Sequence, residues 1–301
     1  MRTTALFLIP VTALAFLAAC SPGSDDTSRT GDAPRTATGD TARRDTGITG
    51  AASEEEFKAM HQLRGDQAPA ARGTMIDLAG SRAYLSLPPE AAAPMPGLIV
   101  IHEWWGLNDH IKHWSDRLAA DGYATLAVDL FGGKVADNPD SAMAFTKSVD
   151  EAQAFRILAA ADTFLASDPR IRARRRGSIG WCFGGAWSLQ AALRQRDLDA
   201  CVIYYGRLVT SAGEFRGLRT PVLGHFANRD RSITPEMVDR FETALNEAGV
   251  PHEIHRYDAD HAFANPSGGN YDEPAAAQAW ERTRAFLSAH LEQGSGTGVA
   301  K

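Results

Sequence analysis

One cysteine lies in a glycine-rich turn between a predicted strand and a predicted helix. The run at 180–185 is GWCFGG, preceded by strand-like residues at 176–179 and followed by helix-like residues at 186–195. In the related G-x-S-x-G pattern, a sharp strand-to-helix turn exposes a nucleophile. A backbone N–H at the start of the helix can then bind a developing oxyanion. The pattern predicts Cys182 as a nucleophile, with a buried structural cysteine as the alternative.

Two further residues could complete a catalytic triad with this cysteine. Asp230 follows the apolar run at 221–226, and His261 lies in a loop between the strand-like run at 252–257 and the last predicted helix. Nucleophile, acid and histidine is the chain order of α/β-hydrolases. His261 would take the thiol proton or hold the thiolate as an ion pair, and Asp230 would fix the imidazole tautomer.

The elements that must position these residues alternate between strands and helices. An antiparallel start followed by strand–helix alternation predicts a doubly wound, mostly parallel sheet with helices on both faces, an α/β class. All three side chains then follow strands at the carboxyl edge of the sheet, where such folds bind ligands. The predicted strands are 75–78, 83–87, 98–102, 123–129, 176–180, 200–205, 221–226 and 251–257, and the helices are 110–120, 139–149, 150–167, 186–195, 234–248 and 272–291.

Several separated motifs, which follow one another in a fixed order, carry a family resemblance. The cysteine precedes the aspartate by 48 positions (230 − 182), and the aspartate precedes the histidine by 31 (261 − 230). IVIHEWWGLN at 99–108, VDLFGGK at 128–134 and YYG at 204–206 are the other motifs. Together they resemble the dienelactone hydrolase family over 73–291.

The resemblance implies a reaction and a set of roles. Cys182, Asp230 and His261 would be the triad of a hydrolase that cleaves small esters or lactones through a thioester acyl-enzyme. Glu103 matches the glutamate that, in the family, holds the resting thiol and helps convert it to thiolate when substrate arrives. A carboxylate near a thiol disfavours the thiolate until it moves or pairs with a cation. No metal or cofactor is implied.

The same resemblance implies an oxyanion hole and a pocket. The backbone N–H groups of Trp104 and Phe183 would hold the oxyanion. Trp105, Tyr204 and Phe263 are predicted to line an apolar substrate pocket, with packing away from the ligand as the alternative.

The chain departs from the family where the archetype grips a substrate carboxylate with two arginines. One position corresponds here to Gly132, Gly133 and Lys134, and the other to Asn265. An amide cannot reproduce a bidentate guanidinium–carboxylate pair. Dienelactone itself is therefore not the expected substrate.

The amino-terminal residues predict export. Residues 1–19 have a short basic start and an apolar stretch, which is typical of a signal peptide. LAAC at 17–20 resembles a bacterial lipobox, so Cys20 is predicted to carry lipid, with an ordinary secretory peptide as the alternative. We expect a flexible tether over 20–55, the hydrolase domain over 56–293 and a disordered tail over 294–301. The expected location is the periplasmic face of the bacterial cell envelope, on the outer membrane.

Charge and cysteine content limit the classes of partner and of fold that this chain can have. The chain has 31 Lys and Arg against 37 Asp and Glu, a net charge of −6, which argues against a nucleic-acid partner. Three cysteines are too few for a disulfide framework. We expect a monomer that acts on a small-molecule ester or lactone and contacts membrane only through Cys20. Two other functions stay open: an acyltransferase or thioesterase with the same triad, and a non-catalytic, membrane-tethered binding module.

Overall fold

The computed structural model describes residues 48–65, 67–90 and 92–292. The predicted signal peptide at 1–19, the lipid site at Cys20, most of the tether and the tail at 294–301 lie outside the described residues.

Eight strands form a single sheet, which confirms the predicted fold class. Their spatial order is β1-β2-β4-β3-β5-β6-β7-β8, with β1–β2 and β2–β4 antiparallel and every other pair parallel. The strand β5, which carries the GWCFGG turn, therefore lies inside the sheet between β3 and β6. The strands are β1 (Thr74–Leu78), β2 (Ser81–Ser86), β3 (Gly97–Ile101), β4 (Ala124–Val128), β5 (Arg176–Trp181), β6 (Ala200–Tyr204), β7 (Val222–Ala227) and β8 (His252–Tyr257).

Seven α-helices in the described residues accompany the strands, and short polar side chains begin most of them. The Thr234 hydroxyl accepts from the Met237 N–H at the start of α6, where Pro235 occupies the first turn without losing a hydrogen bond. Asp272 caps α7 in the same way. The helices are α1 (Glu54–Met60), α2 (Asp109–Ala120), α3 (Pro139–Lys147), α4 (Glu151–Ser167), α5 (Phe183–Arg194), α6 (Pro235–Ala248) and α7 (Glu273–Leu287), which continues as a π-helix to Glu292.

Helices cover the sheet on both faces, so its central strands are buried. Every residue of β3, β4 and β6 is inaccessible to solvent, and these strands read as continuous apolar runs, as buried parallel strands should. Within the described residues, no helix combines the length and the apolar character that crossing a bilayer would need.

The packed chain begins earlier than the predicted domain boundary at 56. Ala51 donates its N–H to the Ser232 carbonyl, and the Ser232 hydroxyl donates to the Thr49 carbonyl. Ser53 and Glu56 then form a reciprocal capping box that begins α1. The tether prediction was therefore wrong for its last residues.

Residues 48–64, which we call the N-terminal strap, are fastened at their far end as well. Leu63 forms a β-bridge with Gly268, and Arg64 donates its N–H to the Ser267 carbonyl. Gln62 accepts from the Gly269 N–H. The strap is thus attached to the loop before α7, which follows the predicted catalytic histidine.

Candidate active site

Cys182 lies at the turn between β5 and α5 in a strained backbone conformation. Its φ is 53° and its ψ is −115°, a region that non-glycine residues rarely occupy and that is found at nucleophile elbows. Close packing of the turn explains two of its glycines. A Cβ on Gly180 would lie 2.1 Å from the Gly184 carbonyl oxygen, and one on Gly184 would lie 2.2 Å from the Ile101 carbonyl oxygen.

The structure brings the three residues of the predicted triad together. His261 Nε2 lies 3.4 Å from Cys182 Sγ, and the N–H at His261 Nδ1 donates to Asp230 Oδ2 over 2.6 Å. The other oxygen of Asp230 accepts from the backbone N–H groups of Ser232 and Ile233. All three side chains are buried. The carboxylate is fixed by the loop after β7 and in turn fixes the imidazole.

Electrostatics favour a proton on His261. Burial alone lowers the pKa of His261, but the charge of Asp230 and its hydrogen bond, together with the Cys182 sulfur, raise it well above the usual value. A charged imidazole beside the sulfur is the partner that a thiolate needs. The arrangement can therefore hold a reactive sulfur as an ion pair.

A second histidine faces the same sulfur, and sequence reasoning missed it. His61 Nε2, from the N-terminal strap, lies 3.6 Å from Cys182 Sγ. His61 Nδ1 lies 2.7 Å from the Phe57 carbonyl oxygen. A carbonyl can only accept, so Nδ1 carries the proton and Nε2 presents its lone pair to the sulfur. Burial and, secondarily, the charge of His261 lower the pKa of His61 well below its usual value, so His61 is neutral.

Ring packing and hydrogen bonds hold His61 in position. Its ring packs 4.3 Å from that of Phe57 and 4.4 Å from that of Trp104. The Asn270 side chain donates to the carbonyls of both Met60 and His261. One amide thus joins the strap to the loop that carries the other histidine.

Glu103 lies beside this group but bonds elsewhere. Asn265 Nδ2 donates to one carboxylate oxygen over 2.6 Å, and the Tyr205 hydroxyl lies 3.5 Å from the other. Among the described residues, the hydrogen-bond partners of Cys182 Sγ are the two histidines. The resemblance implies that Glu103 holds the resting thiol. In this structure it does not, because its carboxylate bonds to Asn265 and lies near Tyr205. Burial raises the pKa of Glu103 to about 7.

A cavity of about 290 Å³ opens onto the sulfur. Trp104 and Phe183, whose N–H groups are the expected oxyanion donors, both line it, together with Tyr205. Phe183 is the first residue of α5, so its N–H has no partner within the helix. The remaining wall residues come from the strap, from α3 to α5 and from the loops after β6, β7 and β8: Ile48, Phe57, Thr146, Lys147, Val149, Glu151, Ala186, Trp187, Arg207, Ser232, Ile233 and His261.

The three predicted pocket residues do not line the cavity, so that prediction was wrong. Tyr204 turns to the other side and hydrogen-bonds Thr283 over 2.6 Å. Trp105 is buried against Trp104, and Phe263 is buried against Tyr205. They support the residues that form the wall instead of touching the space itself.

The positions without the family's arginines serve other purposes. Asn265 anchors Glu103, and the Lys134 ammonium lies over the Phe145 ring. Two other cations, Lys147 and Arg207, line the cavity, and Lys147 pairs with Glu54 of the strap.

Comparison with known proteins gives a consistent result. The model of the dienelactone hydrolase family matches residues 81–291. "Protein usf" of Aquifex pyrophilus is 32% identical over 221 residues, covering 70% of this chain and 94% of that protein. A protein of Aquifex aeolicus named "Putative carboxymethylenebutenolidase" is 28% identical over 222 residues, with the same coverage of 70% and 94%.

Solved structures agree in fold. A Klebsiella pneumoniae structure described as a "Putative Dienelactone Hydrolase" has a TM-score of 0.66 and 28% identity, covering 75% of this chain and all of that chain. A dienelactone hydrolase-like promiscuous phosphotriesterase from metagenomic libraries has a TM-score of 0.64 and 26% identity, covering 74% of this chain and 98% of that chain.

Proposed function

The chain belongs to the dienelactone hydrolase family, and we propose that this hydrolase cleaves small carboxylic esters or lactones with Cys182 as its nucleophile. The observation that carries the proposal is the buried chain of contacts from Asp230 through His261 to the sulfur at the mouth of a cavity. A nucleophile, a base and an orienting acid in hydrogen-bond contact are the parts that acyl transfer needs.

The proposed reaction has two halves. In the first, His261 takes the thiol proton, the sulfur attacks the carbonyl carbon, and the alkoxide leaves with the proton from His261. A thioester on Cys182 remains. In the second, His261 removes a proton from water, the resulting hydroxide attacks the thioester, and the sulfur leaves as the free acid forms. For a lactone, alcohol and acid are parts of one product.

Charge develops on the carbonyl oxygen in both halves. We assign its stabilisation to the N–H groups of Trp104, in the loop after β3, and of Phe183, at the start of α5, because both residues line the cavity with Cys182. Glu103 would act on the triad through charge, because its ionised form and a protonated His261 stabilise each other. It is a positioning residue and not a group that touches substrate.

The cavity indicates a small substrate. Its volume is about 290 Å³, and much of its wall is aromatic or aliphatic, from Phe57, Trp104 and Trp187 among others. Arg207 is the guanidinium on this wall. We propose that it takes over recognition of an anionic substrate group from the absent family arginines.

The test is hydrolysis of p-nitrophenyl acetate and of a simple enol lactone by the full-length chain. Cys182→Ala and His261→Ala should each lower kcat/KM by about a thousandfold or more, because each removes a member of one catalytic unit. Cys201→Ala should keep wild-type turnover, since that thiol is buried away from the cavity and burial raises its pKa to about 11. Turnover that survives both triad substitutions would contradict the mechanism.

We also propose that the enzyme is exported and held at the bacterial envelope by lipid on Cys20. The support is the apolar stretch before LAAC at 17–20. Several acyl chains give stable anchoring, because each buried CH₂ contributes about 0.8 kcal/mol.

A further inference from the structure

Nε2 of His61 and Nε2 of His261 both face Cys182 Sγ, and the Cys182–His261 pair shares a single proton. His61 Nε2 and His261 Nε2 lie 3.6 and 3.4 Å from Cys182 Sγ. Whether that proton is on the thiol or on the His261 imidazolium, it lies between Sγ and His261 Nε2, so the lone pair of His61 Nε2 has no proton to accept. His61 is buried, and a buried acceptor without a donor is unfavourable. A positively charged ligand bound between the three atoms would satisfy this lone pair.

The two sulfur–nitrogen distances match tetrahedral zinc coordination. Zinc lies about 2.3 Å from a thiolate and about 2.0–2.1 Å from an imidazole nitrogen, which at a tetrahedral angle puts sulfur and nitrogen about 3.5 Å apart. The two observed separations lie on either side of that value. All three donor atoms lie within 4.8 Å of one another.

The second contacts of both rings also suit a metal site. Each imidazole donates its Nδ1 proton to an oxygen, His261 to the Asp230 carboxylate and His61 to the Phe57 carbonyl. Such contacts fix the tautomer that leaves Nε2 free to bind metal, and they make the nitrogen a better donor. His61 is therefore already in the ligand tautomer, and His261 reaches it once Nε2 gives up its proton.

We propose that His61, Cys182 and His261 form a binding site for Zn²⁺ whose fourth position faces the cavity. Thiolate and imidazole donors select this ion over Mg²⁺ and Ca²⁺, which prefer oxygen. One proton leaves the site as the ion binds, from the thiol or from the His261 imidazolium. The bound ion occupies the sulfur and His261 Nε2, so zinc reversibly blocks hydrolysis. This site depends on the three donor positions and not on the proposed function.

The experiment measures zinc binding to the full-length chain by competition with a chromophoric chelator, alongside p-nitrophenyl acetate hydrolysis. We expect one Zn²⁺ per chain, loss of hydrolysis in proportion to occupancy, recovery with EDTA and no effect of Mg²⁺. His61→Phe keeps a ring against Phe57 and Trp104 but removes one ligand atom. It should weaken zinc binding by at least a hundredfold, more than loss of a supporting contact usually costs. Cys20→Ser and Cys201→Ala, which remove the chain's other two cysteines, should bind zinc as wild type does.

Two results would overturn the site. One is equal zinc affinity in wild type and in folded His61→Phe. The other needs no variant: Co²⁺ added to the wild-type chain should give a thiolate-to-cobalt charge-transfer absorption, and its absence would show that Cys182 is not a ligand. A chain that binds zinc as proposed yet hydrolyses no ester would contradict the proposed function and leave the zinc site standing.

Discussion

At the scale of single residues, the buried carboxyl of Glu103 makes the stability of the protein depend on pH. Burial raises its pKa to about 7, above the value near 4.5 that an exposed glutamate has. Between these values the folded chain binds more protons than the unfolded chain does. The contribution of Glu103 to the free energy of unfolding is therefore complete below about pH 4.5 and is lost as the pH rises through about 7.

This linkage predicts the behaviour of Glu103→Gln. The stability of the wild type relative to the variant should fall by about 2–3 kcal/mol between pH 5 and pH 8, because glutamine has no charge to bury. Urea unfolding of both proteins at the two pH values measures the difference. Identical pH dependence in the two proteins would show that Glu103 does not titrate in this range.

The triad residues can be predicted from the sequence, but His61 cannot. Cys182, Asp230 and His261 were found because each follows a strand in a known order. His61 has no such signal: it is a lone histidine at the end of a seven-residue helix, upstream of every motif. Only the three-dimensional path of the strap brings it to the sulfur.

At the scale of elements, the turn between β5 and α5 depends on close backbone contact. Gly184→Ala would put a methyl group 2.2 Å from the Ile101 carbonyl oxygen of β3. We expect it to destabilise the protein by about 1–3 kcal/mol or more, as overpacking does, and to displace Cys182 from His261. The measurements are urea unfolding and kcat/KM.

Gly213→Ala is the matched control for that substitution. Its added Cβ would meet one side-chain atom at 3.7 Å, which is ordinary contact. Stability should change by less than about 0.5 kcal/mol. If both variants behave alike, the close approach of β5, α5 and β3 does not explain why this turn needs glycine.

Strands and helices were predicted almost completely because their patterns are local. The apolar runs of β3, β4 and β6 and the capping residues of α6 can be read directly. Which of Tyr204 and Tyr205 lines the cavity cannot be read from the sequence, because it depends on where β6 ends. Tyr205 follows the last residue of β6, has a φ of 38° and lines the cavity, whereas Tyr204 belongs to the strand and does not line it.

At the scale of the whole molecule, the amino-terminal residues should decide where the enzyme resides. Expressed in a Gram-negative host, the full-length chain should fractionate with membranes, and Cys20→Ser should not. Hydrolysis by the two proteins in detergent should be equal, since the substitution lies far along the chain from the catalytic cysteine. Equal membrane association of both proteins would contradict lipid anchoring at Cys20.

The N-terminal strap has a consequence for how this enzyme can be recombined. The family match begins at residue 81, whereas His61 and Phe57 lie upstream of it. A chimera that joined residues 81–291 to the amino-terminal part of a relative would inherit the triad and lose one wall of its own cavity. The part of the chain that forms this enzyme's cavity is therefore longer than the part that matches the family.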